Sequence, residues 1–351
     1  MLAEIDRAQE YVLLEVYLVA SGEQSRLWIK HLVAAVQRGV QVVVLFDDFG
    51  AAELLPEDLQ RLQTAGIRLK RFNPLHWRKV SRNLMRDHRK LLLVDGRTAF
   101  TGGFGLTDEF CASSNAWYEL VIRLQGPCVA DWERLFWQTW RQAHGRPRLK
   151  ASSRKPRPVT TGPQAGTSEG RLVTGQGVYL HGIKLSLLRQ IHRARQRIWL
   201  TTPYFVPSYR LRQALIAAAR RGVEVHLLLP GPRTDHPPVR FAGQRFYSRL
   251  LKAGVHIYEY QPSFIHAKVS LCDDWISIGS CNFDHWGIRW NLEANQEILD
   301  PAVAGQVLEW FETTRLDCLW LDPQLWEERS RWQRIREYLW GLVDALAQRL
   351  R

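Results

Sequence analysis

The chain has no uninterrupted apolar stretch near the roughly 20 residues that a bilayer-spanning helix requires, so any work on lipid is expected from the surface. No signal peptide is expected. MLAEIDRAQEY brings charges at once where a signal peptide would have an apolar region. Cysteine is sparse: Cys111, Cys128, Cys272, Cys281 and Cys318 are odd in number and include no CxxC. That argues against a disulfide framework or a cysteine zinc site and suits a reducing cytoplasm. Acidic residues are few beside basic ones, 35 Asp and Glu against 48 Lys and Arg, and the resulting +13 favours a polyanionic partner. Nucleic acid and an anionic membrane surface both meet that description.

What is present is a globular composition, 46% hydrophobic over 351 residues, enough for one large domain or two ordinary ones. Fifteen tryptophans fit either a core or a membrane interface.

The chain repeats itself. AAVQRGVQVVVLFDD (34–48) and AAARRGVEVHLLLPG (217–231) share a helix end, an Arg-Gly-Val turn and a buried strand. LQTAGIRLKRFNP (62–74) and LLKAGVHIYEYQP (250–262) share a helix, an Ala-Gly turn, a strand and a terminating proline. An order β, α, β, α, β, β therefore occurs twice, and it predicts an α/β fold of two similar halves about a pseudo-twofold axis. Each half is expected to be a mixed, mainly parallel sheet flanked by helices. The expected boundaries are a first half over 1–143, a linker over 144–170, a second half over 171–325 and a C-terminal amphipathic helix over 326–351.

GRLVTGQGVYLHGIKLSLLRQIHRA (170–194) introduces the second copy with a strand, a turn and a helix. The first copy opens on what reads as the end of that helix, so its amino-terminal strand is expected to be missing or to lie upstream of this Met1. The linker, with six Lys or Arg before residue 158, reads as a solvated flexible segment or as a hold on anionic lipid.

HRKLLLVDGRTAFTGG (88–103) and HAKVSLCDDWISIGSCN (266–282) carry the chemistry. Side chains alternate on a strand, so His88 and Lys90 share one face, as do His266 and Lys268. Packed face to face, the repeats would bring two imidazoles and two ammoniums to one phosphate. The lysines would neutralise its oxygens, one histidine would attack phosphorus and the other would protonate the leaving alkoxide. Histidine suits both tasks because it titrates near neutrality.

HxKx4D followed by a Gly-Gly or Gly-Ser-x-Asn element, twice in one chain, resembles the phospholipase D superfamily over essentially the whole length. Within it, LEVYLV (14–19), RFNPLHWRK (71–79), TDHPPVR (234–240), AGVHIYEYQPSFIHAK (253–268) and NLEANQEI (291–298) are similar to bacterial cardiolipin synthases, in particular the B type without transmembrane helices. The resemblance implies the motif residues His88, Lys90 and Asp95, then His266, Lys268 and Asp273, with Gly103, Ser280 and Asn282 in the glycine elements. It implies that the two aspartates hold their hairpins. Glu119 and Glu293 are the candidates for holding each imidazole through its other nitrogen, although a solvated strand position is the plain alternative for Glu119. Two departures stand out. Gly105 occupies the place where the family commonly has asparagine, and the loop after Asp273 is one residue shorter than that after Asp95, so Asp274 is an alternative for the structural role. Arg240 and Arg245 are either cations for a lipid phosphate or ordinary helix charges, and His236 is expected to start that helix.

RSRWQRIREYLWGLVDALAQRLR (329–351) spaces Trp332, Ile335, Leu339, Leu342, Leu346 and Leu350 by three and four, an amphipathic helix that packs on its own domain or lies among lipid headgroups.

The implied activity is phosphatidyl transfer between two phosphatidylglycerols through a phosphohistidine, releasing glycerol, by a peripheral protein on the cytoplasmic face of the inner membrane. No metal or other cofactor is expected, and no nucleic-acid partner. The alternatives are a hydrolysing phospholipase D, one using another alcohol, a nuclease of the same superfamily, or a silent membrane-binding scaffold.

Overall fold

The computed structural model describes residues 1–75, 83–111, 116–143, 166–176, 180–283 and 291–349. The HWRK of RFNPLHWRK and residues 144–165 of the expected linker lie outside them.

The first half runs α1 (Leu2–Arg7), β1 (Tyr11–Val16), α2 (Glu23–Gln37), β2 (Gln41–Asp47), α3 (Pro56–Thr64), β3 (Arg68–Phe72), β4 (Leu91–Val94), β5 (Thr98–Gly102), β6 (Val121–Gln125) and α4 (Cys128–Gln142). The second runs β7 (Glu169–Gln176), β8 (Leu180–His181), α5 (Gly182–Arg193), β9 (Arg197–Thr201), α6 (Tyr209–Arg220), β10 (Glu224–Pro230), α7 (Pro237–Gln244), α8 (Tyr247–Leu251), β11 (His256–Tyr260), β12 (Val269–Cys272), β13 (Trp275–Gly279), β14 (Leu292–Leu299) and α9 (Pro301–Arg315). After them come β15 (Cys318–Trp320), α10 (Pro323–Glu327) and α11 (Arg331–Arg349). Strand β7 begins inside the segment expected to be linker.

Two sheets result, ordered β3-β2-β1-β4-β5-β6 and β15-β11-β10-β9-β12-β13-β14-β7-β8. The α/β duplication is as expected, but neither sheet is mainly parallel. Among the described strands, β1-β2-β3 and β9-β10-β11 pair in parallel and the other strand pairs are antiparallel. The physical reason is local. Helical crossovers join the first three strands of each copy, whereas two- and three-residue turns join β12 to β13 and β4 to β5.

The repeated glycines explain why the helices stop where they do. Gly39, Gly66, Gly222 and Gly254 all have φ between 84° and 91°. In each case the next residue's N–H reaches back to a helix carbonyl: Val40 to Ala35, Ile67 to Leu62, Val223 to Ala218 and Val255 to Leu250, at 3.1–3.2 Å. This is the left-handed helix stop that glycine adopts without steric cost, and it aims the chain straight into a buried strand.

The halves meet through β5 and β6 on one side and β13 and β14 on the other. Helix α4 seals the seam. Trp132, Phe136 and Val129 pack in one cluster with Leu292 and Ala294 of the second half, and the Trp132 Nε1–H donates to Gln296 Oε1 at 2.9 Å. No helix among the described residues is long and apolar enough to cross a membrane.

Each sheet is pinned at the end remote from its histidine. The Asp95 carboxylate accepts the N–H groups of Gln9, Glu10 and Tyr11 at 2.8–2.9 Å. Asp273 does the same for Arg195, Gln196 and Arg197 at 2.9–3.0 Å. Both aspartates sit at positive φ, 53° and 51°. The shortened loop therefore leaves the task with Asp273, and Asp274 does not take it over. Although burial works against the charge, the three N–H donors hold the Asp273 carboxyl below its ordinary range. We expect Asp273→Ala to cost about 1–3 kcal/mol in denaturant unfolding, since it orphans backbone donors at the head of β9. The contribution of Asp273 is present above about pH 4 and fades as pH falls through its lowered value, so the gap between variant and parent should narrow in acid.

Candidate active site

His88 and Lys90 precede β4, and His266 and Lys268 precede β12, each pair in extended backbone. The backbone of each histidine pairs with the opposite half. The His88 N–H donates to Leu292 O at 3.0 Å, and the Leu292 N–H to Arg86 O at 2.8 Å. Symmetrically, the His266 N–H donates to Tyr118 O, and the Tyr118 N–H to Phe264 O, both at 2.8 Å. Each histidine is thus stitched to the opposite half, His88 to the first residue of β14 and His266 to the segment just before β6.

The carboxylates cross in the same way. His88 Nδ1 lies 3.0 and 3.2 Å from the two oxygens of Glu293, a second-half residue. His266 Nδ1 lies 2.7 Å from Glu119 Oε2, a first-half residue. All four side chains are buried or nearly so. A carboxylate on Nδ1 fixes the tautomer with the proton on that nitrogen and leaves the Nε2 lone pair for chemistry.

The lysines close the ring of cations. Lys90 Nζ donates to His88 O at 2.5 Å, and Lys268 Nζ donates to His266 O at 2.6 Å. Lys268 Nζ is also 3.0 and 3.1 Å from the two ring nitrogens of His266, and 3.9 Å from Glu119. Burial depresses the Lys90 ammonium to about 7 despite the pull of Glu293. Burial lifts the Glu119 carboxyl to about 7 against the pull of Lys268. Burial again, then Lys268, Lys90 and His88, drives His266 well below the usual imidazole range; His88 is lowered by burial, which Glu293 opposes. The lowering of one imidazole by the charge of the other, and by both lysines, puts the four groups in one field. Such a site is short of negative charge, and a phosphodiester supplies it.

The glycine elements fit around the carboxylates. A Cβ on Gly103 would stand 2.0 Å from Glu119 Oε2, so glycine there is what lets Glu119 reach His266. At the matching position, Ser280 Oγ donates to Glu293 Oε2 at 2.5 Å. Asn282 is buried, and among the described residues its Oδ1 has no hydrogen-bond partner. Its counterpart Gly105 is walled in: a Cβ would meet Phe110 at 2.6 Å. An aromatic ring stands where an amide would otherwise go, and Phe110 packs edge-on to His266 at 5.7 Å between centroids.

Of the motif residues, the structure brings together His88, Lys90, His266 and Lys268 with Glu119 and Glu293. Asp95 and Asp273, grouped with them by spacing, stand apart at the far ends of β4 and β12, as clamps. Arg240 turns inward to Glu259 at 2.5 Å, so it is an internal ion pair, and His236 does start α7. Sequence reasoning missed the supports of the first histidine. Arg89 is buried between Asp87 at 2.9 Å, Glu15 at 3.4 Å and Thr139 at 2.8 Å. Asp47 accepts the Asp87 N–H at 2.8 Å and pairs with Arg86 at 3.3 Å. The charged run RDHRK was the only hint. The second histidine is flanked instead by Phe264, Ile265, Ala267 and Trp117.

Two duplicated halves with a shared, crossed His-Lys centre define a protein of the phospholipase D class. The family model described as "Cardiolipin synthase, PLD-like domain" matches residues 1–140 and 187–315, and the chain belongs to that family. It is 31% identical over 352 residues to the major cardiolipin synthase ClsA of Bacillus subtilis, covering 99% of this chain and 72% of that protein. It is 32% identical over 313 residues to cardiolipin synthase A of Pseudomonas entomophila, covering 87% and 63%. Among solved structures, phosphatidylserine synthase of Haemophilus influenzae superposes with a TM-score of 0.76 at 14% identity, over 99% of this chain and 90% of that one. A polyphosphate kinase of Porphyromonas gingivalis reaches 0.60 at 18% identity over 92% of this chain and 46% of its own, so the fold alone does not choose the reaction. Family membership makes the chain a phosphatidyltransferase of the phospholipase D superfamily.

Two measurements test this centre. Glu293→Gln and Glu119→Gln should each lower kcat by about 10²–10⁴-fold, since each leaves one imidazole without its partner. Sulfate, whose charge is fixed over the working range, should inhibit competitively. Lys90 is charged below about pH 7 and neutral above it, so the sulfate inhibition constant should rise from pH 7 to 9. That slope should become shallower in Lys90→Gln, the remainder coming from Glu119, whose carboxyl gains its charge over the same range.

Proposed function

We propose that the protein transfers a phosphatidyl group from one phosphatidylglycerol to another and so makes cardiolipin and free glycerol. The observation that carries this is the pair of His-Lys sets held at one centre by carboxylates from opposite halves, in a chain of the cardiolipin synthase family. His88 Nε2 attacks phosphorus as the bond to the glycerol oxygen breaks, and His266 gives its proton to that oxygen. The hydroxyl of the second phosphatidylglycerol then attacks the phosphohistidine, His266 takes its proton, and the P–N bond breaks. Lys90, Lys268 and Asn282 hold the non-bridging oxygens. Burial depresses both imidazoles, which suits a neutral nucleophile. The incoming anion raises His266 so that it can serve as acid.

Exchange of one phosphodiester for another is nearly isoenergetic, so keeping water out decides between transfer and hydrolysis. Tyr17 edge-on to His88 at 4.9 Å, and Trp117 and Phe264 within 5.7 Å of the His266 ring, favour transfer. Phosphatidylglycerol as substrate and a net charge of +13 favour a peripheral position on the cytoplasmic face of the inner membrane.

Incubation with phosphatidylglycerol vesicles and mass analysis should give cardiolipin with equimolar glycerol. Phosphatidic acid in its place would make the protein a hydrolase, and DNA cleavage without a lipid product would make it a nuclease. His88→Ala and His266→Ala should each lower turnover by about 10³-fold or more, and the double variant should be little worse than either. Near-normal turnover in either single variant would overturn the two-histidine mechanism.

A further inference from the structure

Helix α11 is docked the wrong way round for an ordinary amphipathic helix. The face it turns to the protein holds Gln333, Glu337 and Gly341, four residues apart. Glu337 is 2% exposed and takes Arg329 through both oxygens, with Nε at 3.0 Å from one and Nη2 at 3.0 Å from the other. Gly341 sits against Arg245, whose guanidinium donates to its carbonyl. The opposite face, half a turn away, carries the apolar stripe. Trp332 is 80% exposed, Leu339 54%, Ile335 45% and Leu342 42%, with Val343 alongside. Leu346 and Leu350, the last two positions of the stripe, have side chains outside the described residues. Apolar side chains one after another along a helix lose free energy in water, and a polar seat inward with an apolar stripe outward is an arrangement made for a second medium.

Charge selects the medium. Exposed Arg331 and Arg334 border the stripe at the Trp332 end, and the whole chain carries +13. A second copy would bring the same cations against them, whereas an anionic bilayer offers hydrocarbon to the stripe and headgroups to the arginines. Trp332 and Tyr338, both exposed, are residues that settle at that boundary.

Position agrees. Arg336 stacks over Phe241 at 3.9 Å, and Arg245 meets Gly341, so α7 and α11 run parallel with Phe241 level with Arg336. His236, at the head of α7, is thereby level with the Arg331–Trp332 end. From His236, ring contacts lead through Tyr204 at 5.7 Å and Phe264 at 6.2 Å to His266 at 5.7 Å. The Trp332 end of the stripe is the end nearest the reacting centre.

We propose that the outward face of α11 is the membrane-docking element, lying in the headgroup layer of an anionic bilayer so that phosphatidyl headgroups reach the centre beside α7. This deepens the phosphatidyltransferase reading and rests on it for the identity of the lipid.

Flotation with vesicles of phosphatidylcholine and phosphatidylglycerol at 7:3, against phosphatidylcholine alone, tests it. The parent should float with the anionic vesicles, and Trp332→Ser/Ile335→Ser/Leu339→Ser should partition at least tenfold less. Arg331→Gln/Arg334→Gln should lose binding to anionic vesicles with a shallower salt dependence. These side chains are exposed, so melting temperatures should match the parent; if the triple variant melts low, Leu339→Asp alone carries the test. Binding within twofold of the parent would overturn the proposal. So would a parent dimer that the variant converts to monomer with vesicle binding intact, because the stripe would then be a self-association face. Turnover of short-chain phosphatidylglycerol below its micelle concentration separates the two readings: a parent inactive there, yet floating normally, would refute the transferase reading and leave the docking element standing.

Discussion

The structure depends on an exchange: each half holds the other half's histidine. Glu293 reaches His88 and Glu119 reaches His266, and the backbone follows the same crossed path through Leu292 and Tyr118. An imidazole without its carboxylate would lose both its tautomer and its orientation, so neither half contains a finished reacting group by itself. Association of the halves and assembly of the chemistry are therefore one event. The seam between β5, β6, β13 and β14, with Trp132 across it, is as much a part of the centre as the histidines are.

Burying two lysines, two imidazoles and two carboxylates together is costly unless their charges balance. The balance is struck by proton shifts, with Lys90 drawn down to about 7, Glu119 pushed up to about 7 and both imidazoles depressed. Every one of these shifts has burial as its largest cause; an anion between the rings relieves those of Lys90 and the two imidazoles and pushes the Glu119 carboxyl up further. The pocket is thus built for the charge of a phosphodiester and is electrostatically unsatisfied without it.

Much of this was legible in the chain. The duplication was visible because glycines that must adopt positive φ recur at matched positions, Gly39 with Gly222 and Gly66 with Gly254. The two His-Lys pairs were visible as one set because strand alternation puts His and Lys on one face. The crossing was not, since Glu119 lies 31 residues after His88 and nothing in NAWYEL says that it serves His266. The parallel share of the sheets was overread because β–α alternation is easier to see than a short hairpin such as Val94-Asp95-Gly96-Arg97. For α11 the stripe was legible but its direction was not. A helical wheel shows which residues share a face, and only Glu337 paired with Arg329, together with the contact at Gly341, shows which face is docked.

The two halves are alike in plan and unlike in how they brace their histidines, and the difference bears on the division of labour. His88 is braced by charge, through Arg86, Asp87, Arg89, Asp47 and Glu15, with Ser280 fixing its carboxylate. His266 is braced by rings, Phe110, Trp117 and Phe264, and its carboxylate is seated by the absence of a side chain at Gly103. A fixed carboxylate and a rigid polar lattice suit a group that must hold one position through bond making and breaking. An imidazole against apolar rings, with a carboxylate whose own proton affinity is raised to about 7, suits a group that passes a proton out and back. The chemical asymmetry that near-identical motifs conceal is carried by their surroundings, and those surroundings favour the proposed roles, attack by His88 and proton traffic through His266.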